Sequence, residues 1–352
     1  MQICHFKAFP DAYRQSMTLY GQSLKSALGP LLAKGESVQD YLPGFICLRP
    51  ALSRYVSQYL GYQAAAFFSQ GDVNHILDHS YAHLLYSINP KKTVVTFHDA
   101  IWLENKNRSW IQSYNLKALQ RAARIICVSE SSKKNLLRFL DYPERKIKVI
   151  TNGLHEIFES PAAPASLPDL KEGPYLLHVG HTQVYKNIPA LFHVLAILKK
   201  MGKSTKLLKV GTPFTKEQLI SAEDLNVKSD IVHLGQIEQS QMPAVYKKAQ
   251  VLLMPSLDEG FGFPALEAMA MGVPVVVSNR GSFPELVGNA GILTEPYDYA
   301  GMAKAICEIF DNQVHRARLV EEGKKRAVFY TWKESARKVL ELYRSVYQES
   351  KR

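Results

Sequence analysis

The sequence predicts an α/β protein with two doubly wound parallel sheets, one in each half of the chain. Short apolar segments alternate with helical stretches twice over, and a Pro/Ala-rich segment at 160–168 separates the two series. This alternation is typical of parallel sheets covered by helices on both faces. The predicted domains are 1–160 and 161–330. We expect them to face each other across a cleft, because such sheets bind ligands beyond the carboxyl ends of their strands.

The predicted strands are short runs of mostly branched apolar residues, as expected for strands buried on both faces. In the first half they cover 3–6, 73–77, 93–97, 125–128 and 147–150. In the second half they cover 175–179, 206–210, 231–234, 251–254, 273–277 and 291–293.

The last segment, 331–352, predicts a helix that begins at a capping box formed by Thr331 and Glu334. Its apolar residues recur at helical spacing: Trp332, Ala336, Val339, Leu340, Tyr343, Val346 and Tyr347. The spacing leaves open which of the two domains this apolar face packs against.

The composition is that of a globular protein, with 46% hydrophobic and 21% charged residues among 352. The first ten residues do not resemble a secretory signal, and no apolar run reaches the length of a membrane span. The four cysteines are scattered without paired spacing, at Cys4, Cys47, Cys127 and Cys307. This pattern favours reduced thiols in a cytoplasmic protein and predicts no metal site.

The formal net charge is +11, and the first 160 residues carry 19 Lys and Arg against 12 Asp and Glu. A nucleic-acid surface, an anionic membrane surface and a solvated basic face all fit such an excess. No RNA-binding aromatic signature, zinc-finger spacing or basic zipper is present, so nucleic acid is disfavoured as a partner.

In segment 50–60, one helical face carries Leu52, Tyr55, Val56, Tyr59 and Leu60. Peripheral membrane contact and packing inside the domain both remain open for this face.

The most informative segment runs from 251 to 277. An apolar strand leads into a loop that carries Glu259, Gly260 and Gly262, and a helix follows whose only polar residue is Glu267. A carboxylate on an otherwise apolar helix needs hydrogen-bond donors, because desolvating an unpaired charge is costly. Hydroxyl-rich ligands supply such donors. The alternative is that Glu267 only complements the positive end of the helix dipole.

Two further strand ends carry candidate residues. The strand at 175–179 runs into Gly180 and a loop with His181 and Lys186. A lysine at the carboxyl end of a parallel strand is well placed to bind phosphate. The strand at 93–97 ends in His98 and Asp99. Asp99 either orients the ring of His98 or caps the next segment.

The segment 251–295, with its Gly-Phe-Gly loop between Glu259 and Glu267, resembles the signature of glycosyltransferase family 4, retaining enzymes of the GT-B fold. The resemblance implies that Glu267 holds the ribose hydroxyls of a nucleotide sugar and Glu259 the hydroxyls of the transferred sugar. The amides of Gly262 and Phe263 would meet sugar and diphosphate oxygens at a helix N-terminus.

The resemblance also implies that Lys186, in the loop after Gly180, neutralises the diphosphate, and that His98 lies against the donor sugar. We therefore expect His98, Glu259 and Lys186 to take part in catalysis. The chain departs from the family pattern at His181 and Tyr185, where other members carry an arginine. His181 is the candidate for a second, protonated phosphate ligand. The loop after the first strand lacks the glycines of many members, so the resemblance does not identify the acceptor.

The function implied by the resemblance is transfer of a hexose from a nucleotide-diphosphate sugar to a saccharide or lipid-linked saccharide acceptor, without a metal or other cofactor. It also implies that the helix at 331–352 crosses back to the N-terminal domain. The run 278–285 is most similar to bacterial polysaccharide mannosyltransferases that use GDP-mannose. Two alternatives stay open: a soluble enzyme with a small acceptor, and a catalytically weak sugar-nucleotide-binding protein. A nicotinamide-dependent oxidoreductase is disfavoured, since no Gly-x-Gly-x-x-Gly follows an early strand.

Overall fold

The computed structural model describes residues 1–9, 15–44, 56–101, 103, 110–159, 170 and 173–352. The chain divides into two compact units: residues 1–153 with 331–352 form the N-terminal unit, and residues 154–330 form the C-terminal unit. The first division falls after Gly153, whereas the sequence pattern placed it after residue 160. The predicted linker at 160–168, residues 50–55 and Cys47 lie outside the described residues.

The N-terminal unit contains a six-stranded parallel sheet with the strand order β2-β1-β3-β4-β5-β6. Its strands are β1 (Gln2–Phe6), β2 (Ser37–Tyr41), β3 (Val73–Ile76), β4 (Thr93–Phe97), β5 (Arg124–Cys127) and β6 (Ile147–Val149). The helices between them are α1 (Gln15–Leu28), α2 (Tyr62–Phe68), α3 (Trp110–Leu119) and α4 (Glu130–Phe139).

The C-terminal unit contains a second six-stranded parallel sheet, in the order β12-β11-β10-β7-β8-β9. Its strands are β7 (Tyr175–Val179), β8 (Lys206–Val210), β9 (Ile231–Gly235), β10 (Ala249–Met254), β11 (Val275–Ser278) and β12 (Ile292–Thr294). Its helices are α5 (Glu156–Glu159), α6 (Ile188–Lys200), α7 (Lys216–Asp224), α8 (Met242–Lys248), α9 (Phe263–Ala270), α10 (Phe283–Val287), α11 (Tyr299–Asp311) and α12 (Gln313–Ala327).

The predicted α/β class, with one parallel sheet in each half, is confirmed, and eleven of these strands overlap the predicted ones. The sequence analysis missed β2. This strand has the sequence Ser-Val-Gln-Asp-Tyr and lies at the edge of its sheet, where none of its residues is fully buried. An edge strand does not need the continuous apolar run that marks a central parallel strand, so the apolar pattern could not reveal it.

The strand order of the C-terminal unit determines where a ligand can bind. From β7 the chain continues to β8 and β9 on one side, and from β10 it continues to β11 and β12 on the other. Neighbouring strands β7 and β10 therefore form the point at which the direction of winding reverses. Ligands of doubly wound sheets bind outside the carboxyl ends of such strands.

The last helix, α13 (Trp332–Ser350), packs within the N-terminal unit. At its start, the backbone N–H of Glu334 donates to Thr331 Oγ1 at 3.2 Å. Farther along, the buried Tyr343 hydroxyl lies 3.0 Å from His5 Nε2 on β1 and also contacts His75 Nδ1 on β3. Burial lowers the pKa of both histidines, that of His5 to about 4, so both are neutral near pH 7.

We expect Tyr343→Phe to lower the free energy of unfolding by about 1–3 kcal/mol, because it leaves polar ring atoms of two buried histidines without their hydroxyl partner. The midpoint of urea unfolding measures this change. Tyr347→Phe is the matched control on the same helix, because that residue is only partly buried, and its effect should stay within about 0.5 kcal/mol. Equal midpoints for the two variants would contradict the structural importance of the hydroxyl.

Candidate functional site

The carboxyl ends of β7 and β10 bring together the lysine and the first glutamate that the sequence singled out. Lys186 Nζ forms an ion pair with Glu259 Oε1, and both residues are buried. Ser256 Oγ donates a hydrogen bond to the same carboxylate oxygen at 3.0 Å. A cation suited to phosphate and a carboxylate suited to hydroxyls thus meet at the point where the winding of the sheet reverses.

Asn187 fixes the loop that carries Lys186. It adopts the left-handed conformation, with φ of 51°, between the turn Val184–Lys186 and α6. Its side-chain amide donates to the carbonyls of Pro255, at 3.1 Å, and Pro296, at 2.8 Å. The β7 loop is thereby tied to the β10 loop. The sequence analysis did not select Asn187, although asparagine is one of the few residues that tolerate this conformation.

The segment after β11 holds the backbone of Glu259. Gly281 has a φ of +58°, and a Cβ atom there would lie 2.4 Å from the backbone nitrogen of Glu259. Next to it, the N–H of Ser282 donates to the carbonyl of Glu259 at 3.0 Å. Only glycine permits this approach at residue 281. The run 278–285, which the sequence analysis used only for its family resemblance, is therefore a structural support of the loop.

Gly262 starts the helix α9 that follows the Glu259 loop. Its φ is +95°, and its carbonyl accepts hydrogen bonds from the N–H groups of Ala265 and Leu266. A Cβ at this position would lie 3.0 Å from the ring of Phe283, so glycine satisfies both the backbone angle and the space. Phe263, the first residue of α9, is partly exposed. The positive end of the α9 dipole therefore follows directly after the Glu259 loop.

Glu267 receives a hydrogen bond that the sequence analysis did not identify. The hydroxyl of the buried Tyr246 on α8 donates to Glu267 Oε2 at 2.7 Å. Burial raises the pKa of Glu267 to about 7, against a smaller opposing effect of this hydrogen bond. Because α9 begins at Phe263, Glu267 lies beyond the first helical turn, which weakens the alternative of a residue that only complements the dipole.

His181, the candidate for a second phosphate ligand, lies beside Tyr185 in the loop after β7. Its Nε2 atom lies 2.8 Å from the hydroxyl of Tyr185. Burial, reinforced by the positive charges of Lys186 and Lys209, lowers the pKa of His181 to about 4. In this structure His181 is therefore neutral near pH 7. The two residues that stand in place of the family's arginines hydrogen-bond each other and supply no charge.

Lys209 is a second buried lysine beside this loop, and the sequence analysis missed it. It lies on β8 and is fully buried, with its ammonium group 2.5 Å from the carbonyl oxygen of Gly180. The signal was a lysine inside the otherwise apolar run Leu-Leu-Lys-Val, which we used only to predict a strand.

His98 lies at the end of β4 in the N-terminal unit, whereas the other predicted site residues belong to the C-terminal unit. Its Nε2–H donates to the carbonyl of Leu77 at 2.8 Å, so Nδ1 is the nitrogen without a proton. Burial lowers the pKa of His98, and the ring packs edge-on against Tyr20. Of the two roles considered for Asp99, capping is observed, because its Oδ1 accepts the N–H of Ile101 at 3.2 Å.

The raised pKa of Glu267 predicts a pH-dependent stability difference. Its folded pKa of about 7 lies above the unfolded value, so ionisation destabilises the fold as the pH rises from about 4.5 through 7. Glu267→Gln removes this charge, and we expect it to raise the free energy of unfolding by about 2 kcal/mol at a pH near 8. Near pH 5 the difference should shrink towards zero. Urea unfolding at both pH values measures it, and a variant that is less stable than wild type near pH 8 would contradict the assignment.

Two family models match consecutive parts of the chain. The model described as "Glycosyltransferase Family 4" matches residues 33–156, and the one described as "Glycosyl transferases group 1" matches residues 160–326. Together they span most of both units, and the second contains the complete Lys186–Glu259 site.

Two relatives are mannosyltransferases of Escherichia coli. O-antigen chain mannosyltransferase B is 29% identical over 72% of this chain and 70% of its own length. The serotype-specific mannosyltransferase WbdA is 25% identical over 74% of this chain. The match covers 34% of WbdA, so the chain spans about a third of that protein.

Solved structures share the fold over almost the whole chain. Sucrose-phosphate synthase from Thermosynechococcus elongatus has a TM-score of 0.77 and 20% identity, with 99% of both chains covered. HepE from Anabaena, in complex with UDP and glucose, has a TM-score of 0.75 and 18% identity, with 98% of this chain and 100% of HepE covered. At these identities the likeness concerns the fold alone. The two family models, the mannosyltransferase relatives and the shared fold together show that the chain belongs to the glycosyltransferases of the GT-B fold.

Proposed function

We propose that this glycosyltransferase moves a hexose, with retention of anomeric configuration, from a nucleotide-diphosphate sugar to a saccharide or lipid-linked saccharide acceptor. The observation that carries the proposal is the buried pair of Lys186 and Glu259 at the carboxyl ends of β7 and β10. When a buried ion pair is broken, the ammonium group needs another anion or acceptor and the carboxylate needs another cation or hydrogen-bond donor. A nucleotide sugar offers phosphate oxygens to the ammonium group and hydroxyl donors to the carboxylate, so one ligand satisfies both.

Glu267 is proposed to hold the ribose hydroxyls of the donor. A carboxylate has acceptor sites beyond the one that Tyr246 occupies. Hydroxyl donors favour its ionised form, so donor binding lowers the pKa of Glu267 below its value of about 7 and releases a proton. Donor affinity should therefore weaken as the pH falls below 7.

Chemistry at the diphosphate is proposed to need no metal or other cofactor. The charge that develops on the departing diphosphate would meet Lys186 and one ring N–H of His181, beside Gly180, where the lack of a side chain leaves room next to Lys186. The amides of Gly262 and Phe263 at the N-terminus of α9 would add to this stabilisation, since such positions favour anions. His98 is proposed to contact the transferred sugar, as the family resemblance implies. With Nε2–H held by Leu77, its Nδ1 would accept a hydrogen bond from a sugar hydroxyl.

The proposed donor is GDP-mannose, and the proposed product is part of a cell-surface polysaccharide. This assignment is supported by the two Escherichia coli relatives, which are named mannosyltransferases, one of them for the O-antigen chain. The enzyme is proposed to act in the cytoplasm. A soluble enzyme with a small acceptor and a weakly catalytic sugar-nucleotide-binding protein are the alternatives that the experiments separate.

Thermal unfolding and turnover test the proposed function. We expect GDP-mannose to raise the unfolding temperature more than UDP-glucose or ADP-glucose, because a ligand stabilises the folded state that binds it. GDP release and NMR of the product then report the turnover and the anomeric configuration.

Glu259→Gln should lower kcat by about 100-fold or more, since it removes the carboxylate from the reacting sugar. Glu267→Gln should bind the donor more weakly although it is more stable near pH 8.

Glu295→Gln is the matched control, because this exposed carboxylate pairs only with the exposed Arg280 and Asn279 among the described residues. It should bind and turn over the donor like wild type. No stabilisation by any nucleotide sugar would overturn the proposal. Donor binding with no turnover would support the weakly catalytic alternative, and an inverted product would refute retention.

Peripheral contact with an anionic membrane is proposed for the N-terminal unit. Leu60 and Phe67 are exposed seven residues apart, and Phe68 beside them is 85% exposed. Leu60 lies in the π-helical turn Ser57–Gly61 that leads into α2, and Phe67 and Phe68 end that helix. Exposed apolar side chains on a basic protein suit the surface of anionic lipids. None of the helices in the described part of the chain is long and apolar enough to cross a membrane.

We expect the wild-type protein to pellet with anionic liposomes at low salt and to be released at high salt, because salt screens the attraction of basic residues to lipid headgroups. Replacing Phe67 and Phe68 together by Ser should reduce the bound fraction about tenfold. Ile220→Ser is the control, since that residue is an exposed apolar side chain of the C-terminal unit. Equal pelleting of all three proteins would exclude this surface, and no pelleting of wild type would favour the small soluble acceptor.

A further inference from the structure

Lys209 is a buried lysine whose direct partners among the described residues are all neutral. Its ammonium group donates to the carbonyls of Gly180, Val210 and Thr212, at 2.5, 2.7 and 3.3 Å. None of the ion pairs among the described residues includes it. An uncompensated buried charge destabilises a fold, and a similar apolar side chain would avoid that cost. A functional reason for the charge therefore has to be sought near those three carbonyls.

The first of these carbonyls belongs to the loop that carries Lys186. Gly180 lies between the two lysines: its carbonyl oxygen faces Lys209, and a Cβ on its α-carbon would lie 3.7 Å from Lys186 Nζ. Directly after β8, a Cβ at Gly211 would lie 2.1 Å from the same carbonyl oxygen. The ends of β7 and β8 are thus in direct contact, and Lys209 cross-links them beneath the Lys186 loop.

The charges around this loop leave a positive excess. His178 on β7, His181 in the loop and Lys186 lie near Lys209, and His233 is its neighbour on β9. Lys186 in turn pairs with Glu259. Burial lowers the pKa of His178 and His181, so both are neutral near pH 7. When Lys209 is protonated, the carboxylate of Glu259 pairs with Lys186 and leaves the charge of Lys209 without an ion-pair partner among the described residues. A site with this excess is complementary to a dianion such as the diphosphate of a nucleotide sugar.

We propose that Lys209 is a positioning residue for the donor diphosphate, which holds the Gly180 loop in place and adds a second positive charge behind it. This inference rests on the proposed function. Lys209 does not touch the donor; it acts through the Gly180 carbonyl and through the electrostatic potential at Lys186. Its test must therefore separate binding of the diphosphate from binding of the nucleoside.

The pH dependence of binding provides that separation. Burial, together with the nearby charge of Lys186, lowers the pKa of Lys209 to about 7. A bound dianion favours the protonated amine, so donor binding takes up a proton and weakens as the pH rises above 7. Glu267 acts in the opposite direction, below pH 7. The Kd of a nucleoside, which has no phosphates, should depend on pH only through the ionisation of Glu267.

The experiment measures the Kd of GDP-mannose and of guanosine by calorimetry between about pH 6 and 8.5, with UDP-glucose and uridine as a second pair. For wild type, we expect the Kd of the nucleotide sugar to rise about tenfold above pH 7, while the Kd of the nucleoside does not rise and falls by no more than about twofold. Lys209→Met should weaken nucleotide-sugar binding about tenfold at pH 7, remove its alkaline decline and leave nucleoside binding within about twofold. Lys206→Met, on the same strand but partly exposed, should match wild type.

The outcomes distinguish this inference from the proposed function. If wild type binds none of the nucleotide sugars, the proposed function fails and the inference with it. If wild type binds the nucleotide sugar without an alkaline decline, or Lys209→Met weakens sugar nucleotide and nucleoside equally, Lys209 only supports the fold and the inference is overturned. Should Lys209→Met fail to fold, the alkaline decline of the wild-type protein, compared between nucleotide sugar and nucleoside, decides the question.

Discussion

The ion pair between Lys186 and Glu259 is the constraint on which the C-terminal unit's site depends. Neither charge is stable alone at such low exposure, so each fixes the loop that carries the other. Asn187 ties the lysine loop to the β10 loop, and Gly281 leaves room for the backbone of Glu259. The same pairing supports the proposed donor, because a nucleotide sugar would replace both partners at once, with phosphate for the lysine and hydroxyls for the glutamate.

The remaining titratable groups of the site are held away from their usual pKa values by burial. Glu267 and Lys209 both have a pKa of about 7, the first raised and the second lowered. For each group the fold holds a charge that it does not fully compensate. As the pH rises through 7, the carboxylate of Glu267 gains its charge and the amine of Lys209 loses its charge. Uncompensated groups of this kind mark positions where a ligand completes the electrostatics.

The sequence predicted much of the fold because central parallel strands carry a strong signal. Strands buried on both faces must be apolar throughout. The edge strand β2 escaped detection because its residues remain partly exposed. The predicted residues Lys186 and Glu259 do meet, because the carboxyl ends of neighbouring parallel strands meet at one edge of a sheet.

The sequence alone determined the α/β class, the division into two parallel sheets, and the identity of the strand ends that carry candidate residues. Only the tertiary structure decided how those residues are charged and partnered. Tyr246 reaches Glu267 from another helix, and Lys209 reaches Gly180 from a neighbouring strand. The neutral state of His181 depends on its burial and on two lysines, one of them distant in sequence. Apolar periodicity is a local property of the chain, whereas desolvation and long-range contacts arise only when distant segments pack together.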